Sequence, residues 1–171
     1  HESLALRIPR DEMNAWNKAL NKISEGITTG SYRRNKSDSG DVDYLITSGN
    51  LVSFVESLRG SKKIEILGCF GEGSSQWQGV MRLKKKGFLP RHVDLFCYPI
   101  EKMPYALLHS TGSGEFNIRC RKAALELGFS LSQYGLTPEP EDLKLVGSIV
   151  DRETQILKYL RITPIAPEDR S

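Results

Sequence analysis

The sequence predicts an α+β fold, a twisted mixed sheet flanked by helices and followed by a smaller helical and β portion. Two observations carry it. Apolar residues recur at helical spacing in Met13, Trp16, Leu20 and Ile23, then give way to short strand-like runs at Val42–Thr47, Ile64–Phe70, Trp77–Leu83 and His92–Tyr98. Beyond Pro99 the character shifts to helical runs with small-residue turns, which places a soft boundary near Ile100 and divides the chain into 1–100 and 101–171.

Pro9, with Asp11 and Glu12 behind it, reads as a helix start: proline is tolerated in the first turn, and acidic groups suit the positive end of the dipole. Gly26 ends that helix, and Gly30 marks a turn before the first long strand. Leu51–Leu58 reads as a short amphipathic helix between Asn50 and Gly60, and Gly- and Lys-rich connections separate the next three strands. Lys102–Leu108 and Phe116–Leu127 read as helices joined by a turn over Ser110–Gly114. Phe129–Leu136 suits a short strand pair, Thr137–Asp142 a polar loop and Glu153–Leu160 a last helix.

A chain of 171 residues with 39% hydrophobic content can bury a sizeable core. Its net charge of +3 is modest, yet basic residues cluster at Arg33–Lys36, Lys62–Lys63, Arg82–Arg91 and Arg119–Lys122, and local patches govern attraction of a polyanion. A single run such as Lys84–Lys86 is ordinarily a solvated face. Cys69, Cys97 and Cys120 are odd in number and widely spaced, which argues against a disulfide framework or a zinc site and for a reduced, intracellular setting. No apolar run approaches membrane-spanning length, so no membrane association is expected.

The densest chemistry lies between Ile27 and Thr47. Gly30 and Ser31 let backbone approach an anion, and Arg33, Arg34 and Lys36 add positive charge. Asp41 and Asp43 alternate along the expected strand, so both carboxylates face one way. Divalent cations about 3.5–4 Å apart need such shared oxygen ligands, an arrangement suited to in-line displacement at phosphorus. Asp94 sits among apolar residues in Val93-Asp94-Leu95-Phe96, where a charge is costly unless paired or bound to metal. Taken singly, the first pair also fits wet surface carboxylates and Asp94 a salt-bridged core residue.

In order along the chain, Arg7-Ile8-Pro9-Arg10, Gly30-Ser31 through Asp43, His92-Val93-Asp94-Leu95, Thr111-Gly112-Ser113 with Phe116, Asn117 and Arg121, and Pro167-Glu168-Asp169-Arg170 resemble the palm and thumb of the X-family DNA polymerases. That family includes polymerases beta, lambda, mu and terminal transferase. The resemblance implies a nucleotidyltransferase palm over 1–100 and a nucleotide- and template-checking thumb over 101–171. It implies that Asp41 and Asp43 bind both of two Mg²⁺ ions, with Mn²⁺ as a substitute, and that Asp94 binds only the catalytic one beside the primer 3′-hydroxyl. Arg7, Gly30, Ser31, Arg34 and Gly40 would cradle the triphosphate, arginine offering a planar fork to phosphate oxygens. Gly112 would lie against the sugar, Asn117 would reach the minor-groove edge of the new base pair, and Arg121 would meet the template. The implied activity is gap-filling repair synthesis on gapped or primer-template DNA from dNTPs, by a monomer with scope for repair-protein partners, in the nucleus or in a mitochondrial or viral setting.

His109-Ser110 stands where relatives carry Tyr-Phe or Gly-Trp, beside the sugar, and predicts looser exclusion of ribonucleotides. His92 stands where many relatives have arginine, so the charge balance at Asp94 is expected to respond to pH near neutrality. The lyase and fingers portions that family members usually carry have no counterpart here, so no lyase activity is expected and DNA binding should lean on phosphate contacts. Two rival readings are template-independent addition and a DNA-binding fragment without turnover.

Overall fold

The computed structural model describes residues 2–171. The chain divides into two units: one takes the chain through Tyr32 and then Lys36–Cys97, the other Arg33–Asn35 and Tyr98–Ser171. The short excursion at Arg33–Asn35 is invisible to composition or periodicity. Among the described residues no helix is long and apolar enough to cross a membrane.

The first unit contains β1 (Ile8–Pro9), α1 (Arg10–Ile23), β2 (Gly26–Thr28), most of a single helical turn α2 (Gly30–Arg33), β3 (Asp38–Ser39), β4 (Val42–Ile46), α3 (Leu51–Arg59), β5 (Ile64–Glu72), β6 (Gln76–Leu83) and β7 (Arg91–Phe96). Five strands form a mixed sheet in the order β2-β4-β7-β6-β5, with β4 and β7 parallel and the other neighbours antiparallel. Strands β1 and β3 form a separate two-stranded ribbon. Strand alternation gives the sheet two unlike faces. Val42, Tyr44 and Ile46 of β4, Val93 and Leu95 of β7, and Trp77 and Met81 of β6 pack with Met13, Trp16 and Leu20 of α1 and Phe54 and Leu58 of α3. Each fully buried large side chain of this kind stabilises by about 1.5–3 kcal/mol, so this face fixes the strand register. Asp43, His92 and Asp94 alternate with these residues and face the other way.

One expectation changes in α1. Asp11 stays exposed in the first turn, but Glu12 turns inward to 6% exposure. Its carboxylate accepts from Arg91 Nε and Nη2, both at 2.8 Å, and from Trp16 Nε1 at 3.1 Å. Arg91 Nη1 also donates to the carbonyls of Leu6 and Arg7, at 3.2 and 3.4 Å. A buried ion pair so fully hydrogen-bonded ties the start of β7 to α1 and to the segment carrying Arg7.

The second unit contains α4 (Met103–Thr111), α5 (Gly114–Glu126), the hairpin β8 (Ser130–Ser132) with β9 (Gly135–Thr137), and α6 (Ile149–Tyr159). Its core joins Tyr105, Leu108, Phe116, Cys120, Ala124, Leu136, Ile156, Leu157 and Leu160. Helix α6 begins four residues before the predicted Glu153, because Ser148 and Asp151 close a reciprocal capping box at its start. Ser113 caps α5 by accepting from Phe116 N, so that helix starts at Gly114 rather than Phe116, while α4 continues to Thr111.

Candidate active site

In the first unit the parallel pairing of β4 with β7 sets Val42 against Val93 and Asp43 against Asp94. Asp41 does not lie in the strand as expected but in a bend one residue before it. It still reaches β7, with Asp41 Oδ1 3.4 Å from His92 Nδ1. The Asp94 Oδ1 atom is buried without a hydrogen-bond partner. Burial pushes the Asp94 carboxyl above its ordinary range, and the charge of Asp41 adds to the rise; His92 and a hydrogen bond with Asp43 pull the other way.

Gly30 touches this carboxylate group directly. Its φ of +60° is a conformation that side chains disfavour, and a Cβ there would sit 2.7 Å from Asp43 Oδ2. Thr29 N donates to the Asp43 carbonyl at 2.8 Å, which pins the turn against β4. Ser31 Oγ is 2.7 Å from Ser39 Oγ and 3.3 Å from the Asp38 carbonyl. Arg7 donates to Asp38 Oδ1 from Nη2 at 2.9 Å, and a Cβ on Gly40 would come within 3.1 Å of Arg7 Nη1. Seven of the residues singled out from sequence, namely Arg7, Gly30, Ser31, Gly40, Asp41, Asp43 and Asp94, thus form one chain of near neighbours.

Among the described residues no three His, Cys, Asp or Glu side chains converge into a preformed metal cage. The donor chemistry nevertheless suits a hard cation. Carboxylate oxygens of Asp43 and Asp94 face each other across two strands, one of them a buried acceptor with no donor, and hard divalent cations take oxygen ligands of this kind.

In the second unit His109, Asn117 and Arg121 line one recess of about 150 Å³, with Tyr105, Leu108 and Cys120 behind them. Asn117 Nδ2 donates to the His109 carbonyl at 2.9 Å, which fixes α5 against the end of α4. Burial and then the Arg121 charge hold the His109 imidazole below its ordinary range, so this histidine favours its neutral form. Ser110 is half-buried, and its Oγ is buried without a hydrogen-bond partner. Gly112 has a φ of +67°, and a Cβ there would meet Arg34 Nη1 at 3.2 Å. Arg34 Nη1 donates to the Thr111 carbonyl at 2.6 Å.

Sequence reasoning assigned Arg33 to a general positive field, whereas the structure gives it a specific partner. Arg33 reaches Glu153 Oε2 and Oε1 at 2.7 and 3.0 Å, and Arg170 reaches the same two oxygens at 2.9 and 3.1 Å. Thr111 Oγ1 accepts from Arg33 at 2.8 Å and donates to the Leu107 carbonyl at 2.7 Å. Burial alone would raise the Glu153 carboxyl, but the hydrogen bonds and charges of the two arginines outweigh it and hold the group below its ordinary range. Glu153 was missed because its placement on an apolar helix stripe is its only local signal.

Comparison with known proteins agrees with this geometry. Residues 7–100 match the family model for the DNA polymerase beta palm, and residues 106–171 match that for the DNA polymerase beta thumb. The chain is 32% identical over 148 residues to DNA polymerase lambda of Rattus norvegicus, covering 77% of this chain and 26% of that protein. It is 36% identical over 78 residues to the repair DNA polymerase X of African swine fever virus, covering 46% of this chain and 43% of the viral protein. The chain therefore spans about a quarter of the rat relative's length and less than half of the viral one's. Among solved structures, the ternary gap complex of Leishmania infantum polymerase beta matches with a TM-score of 0.83 at 25% identity, over 99% of this chain and 72% of that one. The primer-template ternary complex of the same polymerase matches with a TM-score of 0.82 at 26% identity, over 99% and 78%. With both halves matched in order and the carboxylates on facing strands, the chain belongs to the X-family DNA polymerases and carries their palm and thumb.

Proposed function

We propose that this chain performs gap-filling DNA synthesis, adding a deoxynucleoside monophosphate to a primer 3′-end and releasing pyrophosphate. The observation that carries the reading is the parallel register that sets Asp43 opposite Asp94, beside Gly30 and with Asp41 against His92. Asp41 and Asp43 would hold two divalent ions, Mg²⁺ or Mn²⁺, with Asp94 as ligand to one of them. When bound, such ions lower the pKa of an attacking hydroxyl and neutralise charge developing on the phosphoryl oxygens.

The rest of the work belongs to the chain's own groups. Gly30 lets backbone come against the carboxylates, where any side chain would collide with Asp43. Ser31 offers a hydroxyl and Arg7 a guanidinium for phosphate oxygens, each now held by partners in the Asp38–Ser39 strand that a triphosphate can replace. In the other unit, Gly112 presents bare backbone suited to a sugar, and the recess of His109, Asn117 and Arg121 offers polar groups for a base edge and a template strand.

Primer extension on a gapped duplex with Mg²⁺ or Mn²⁺, comparing the intact chain with Asp94→Ala, tests this. Extension by the intact chain that disappears in the variant supports catalysis. DNA binding without extension by either protein would reduce the chain to a binding fragment. Extension of a single-stranded oligonucleotide as efficient as that of the gapped duplex would replace the templated reading with template-independent addition.

A further inference from the structure

A cleft of about 410 Å³ opens in the palm between α1 and the connection that leaves β6. Its floor is apolar, built by Ala19, Leu83 and Phe88, and its rim is Lys18, Lys63, Lys84 and Lys85. The local fold crowds these charges together. Lys84 N donates to the Lys63 carbonyl at 2.8 Å, which sets the two lysines side by side at the ends of β5 and β6. Lys18 shares a stripe of α1 with Lys22, one helical turn on, and the proximity of Lys63 holds the Lys22 ammonium below its ordinary value.

Three of the five guanidinium groups of this unit are treated differently. Arg7 pairs with Asp38, Arg82 with Glu65 and Arg91 with Glu12. Among the described residues no carboxylate pairs with Lys18, Lys22, Lys63, Lys84 or Lys85, and the nearby Glu65 is already committed to Arg82 at 2.6 Å. Like charges gathered this closely repel one another, and i,i+4 pairs alone cost a few tenths of a kcal/mol. An uncompensated cluster of this kind is complemented by a polyanion.

We propose that this cleft is a second nucleic-acid contact, taking backbone phosphates of DNA on the helix-covered side of the sheet, away from Asp43 and Asp94. The choice of DNA rests on the polymerase reading above, whereas the prediction that the cleft binds phosphate strands does not require turnover. Lysine ammonium groups are freely rotating point charges that suit a line of phosphates, and the Phe88 ring and apolar floor suit the sugar edge between them.

The test is equilibrium binding of a labelled intact duplex, without gap, nucleotide or metal, from about 50 to 200 mM salt. The ammonium groups of Lys18, Lys63 and Lys85 donate to no carbonyl or carboxylate among the described residues, so Lys18→Ala/Lys63→Ala/Lys85→Ala removes charge without removing such a bond. The slope of log affinity against log salt should flatten by about 2.7, at about 0.9 per phosphate, with affinity down roughly 10- to 100-fold at the low-salt end. Extension of gapped DNA at saturating concentration should keep its rate, which separates failure of this proposal from failure of the polymerase reading. A charge-matched control, Lys102→Ala/Lys144→Ala/Lys158→Ala in the other unit, should leave the slope nearly unchanged. An unaltered slope in the first variant, equal flattening in the control, or displacement of DNA from the cleft by poly-glutamate at equal charge concentration would each overturn it. Should the triple variant melt early, Lys18→Gln/Lys85→Gln, at two exposed positions, carries the same test with a flattening of about 1.8.

Discussion

Replacing Glu153 should destabilise the second unit far more than any surface charge change. Its side chain is 1% exposed and those of Arg33 and Arg170 are 11% and 3% exposed, so solvent does little to screen the three charges. Removing one member of a buried pair costs about 3–5 kcal/mol, because the remaining charge is stranded. Here one carboxylate serves two guanidinium groups through four hydrogen bonds. Glu153→Ala therefore belongs at the upper end, about 5 kcal/mol, and Glu153→Gln, which keeps volume and one acceptor oxygen, near about 3 kcal/mol. At about 2–4 °C per kcal/mol for a chain of this size, the glutamine variant should melt about 6–12 °C lower, with faster hydrogen exchange in α4 and α6.

The effect carries a pH signature. A carboxyl held below its ordinary value of 4.5 in the folded state contributes stability that is fully present above that value and is lost as pH falls through the lower, folded one. The gap between wild type and Glu153→Gln should thus be constant near neutrality and shrink in acid. A melting shift below about 2 °C, or a gap that does not change with pH, would show that water satisfies the two arginines and that the reasoning is wrong.

Three further outcomes follow from the geometry. Gly30→Ala should cost about 1–2 kcal/mol from its left-handed backbone, and it should abolish extension, because the added methyl displaces Asp43; thermal melting and primer extension read the two effects. Asp94→Asn should remove extension yet melt at the same or a higher temperature than wild type in chelator-treated buffer, since it replaces a carboxylate raised by burial with a neutral amide; a lower melting temperature would contradict this. His109→Tyr/Ser110→Phe should sharpen rejection of ribonucleotides by about tenfold in single-turnover incorporation, and an unchanged ratio would dismiss the looser sugar pocket inferred for this chain.

How much of this was legible beforehand follows the range of each interaction. The alternation of Val42, Tyr44 and Ile46 with Asp43, and of Val93 and Leu95 with Asp94, is a local signal, and both strands are found where it predicts them. Motif spacing likewise placed turns at Gly30 and Gly112, whereas it put Asp41 on the strand rather than in the bend before it. The pairings that hold the scaffold were not legible. Arg33 and Glu153 lie 120 residues apart, and Arg91 and Glu12 lie 79 apart, and no periodicity links such partners. Glu12 also occupied a first-turn position where an exposed acid is expected, so a local rule hid its burial. The lysine cleft shows the same limit, because Lys84–Lys86 reads as a solvated run until Lys63 and α1 are set beside it.

The two faces of the palm sheet also make its chemistry self-checking during folding. A one-residue slip of β4 or β7 would turn Asp43 or Asp94 into the apolar layer and put Val42, Tyr44, Val93 or Leu95 into water. Either fault forfeits several kcal/mol of apolar burial and buries an unpaired charge besides. A misaligned site is thus rejected by the core before any substrate could test it, and selection for a well-packed sheet is at the same time selection for correctly opposed carboxylates.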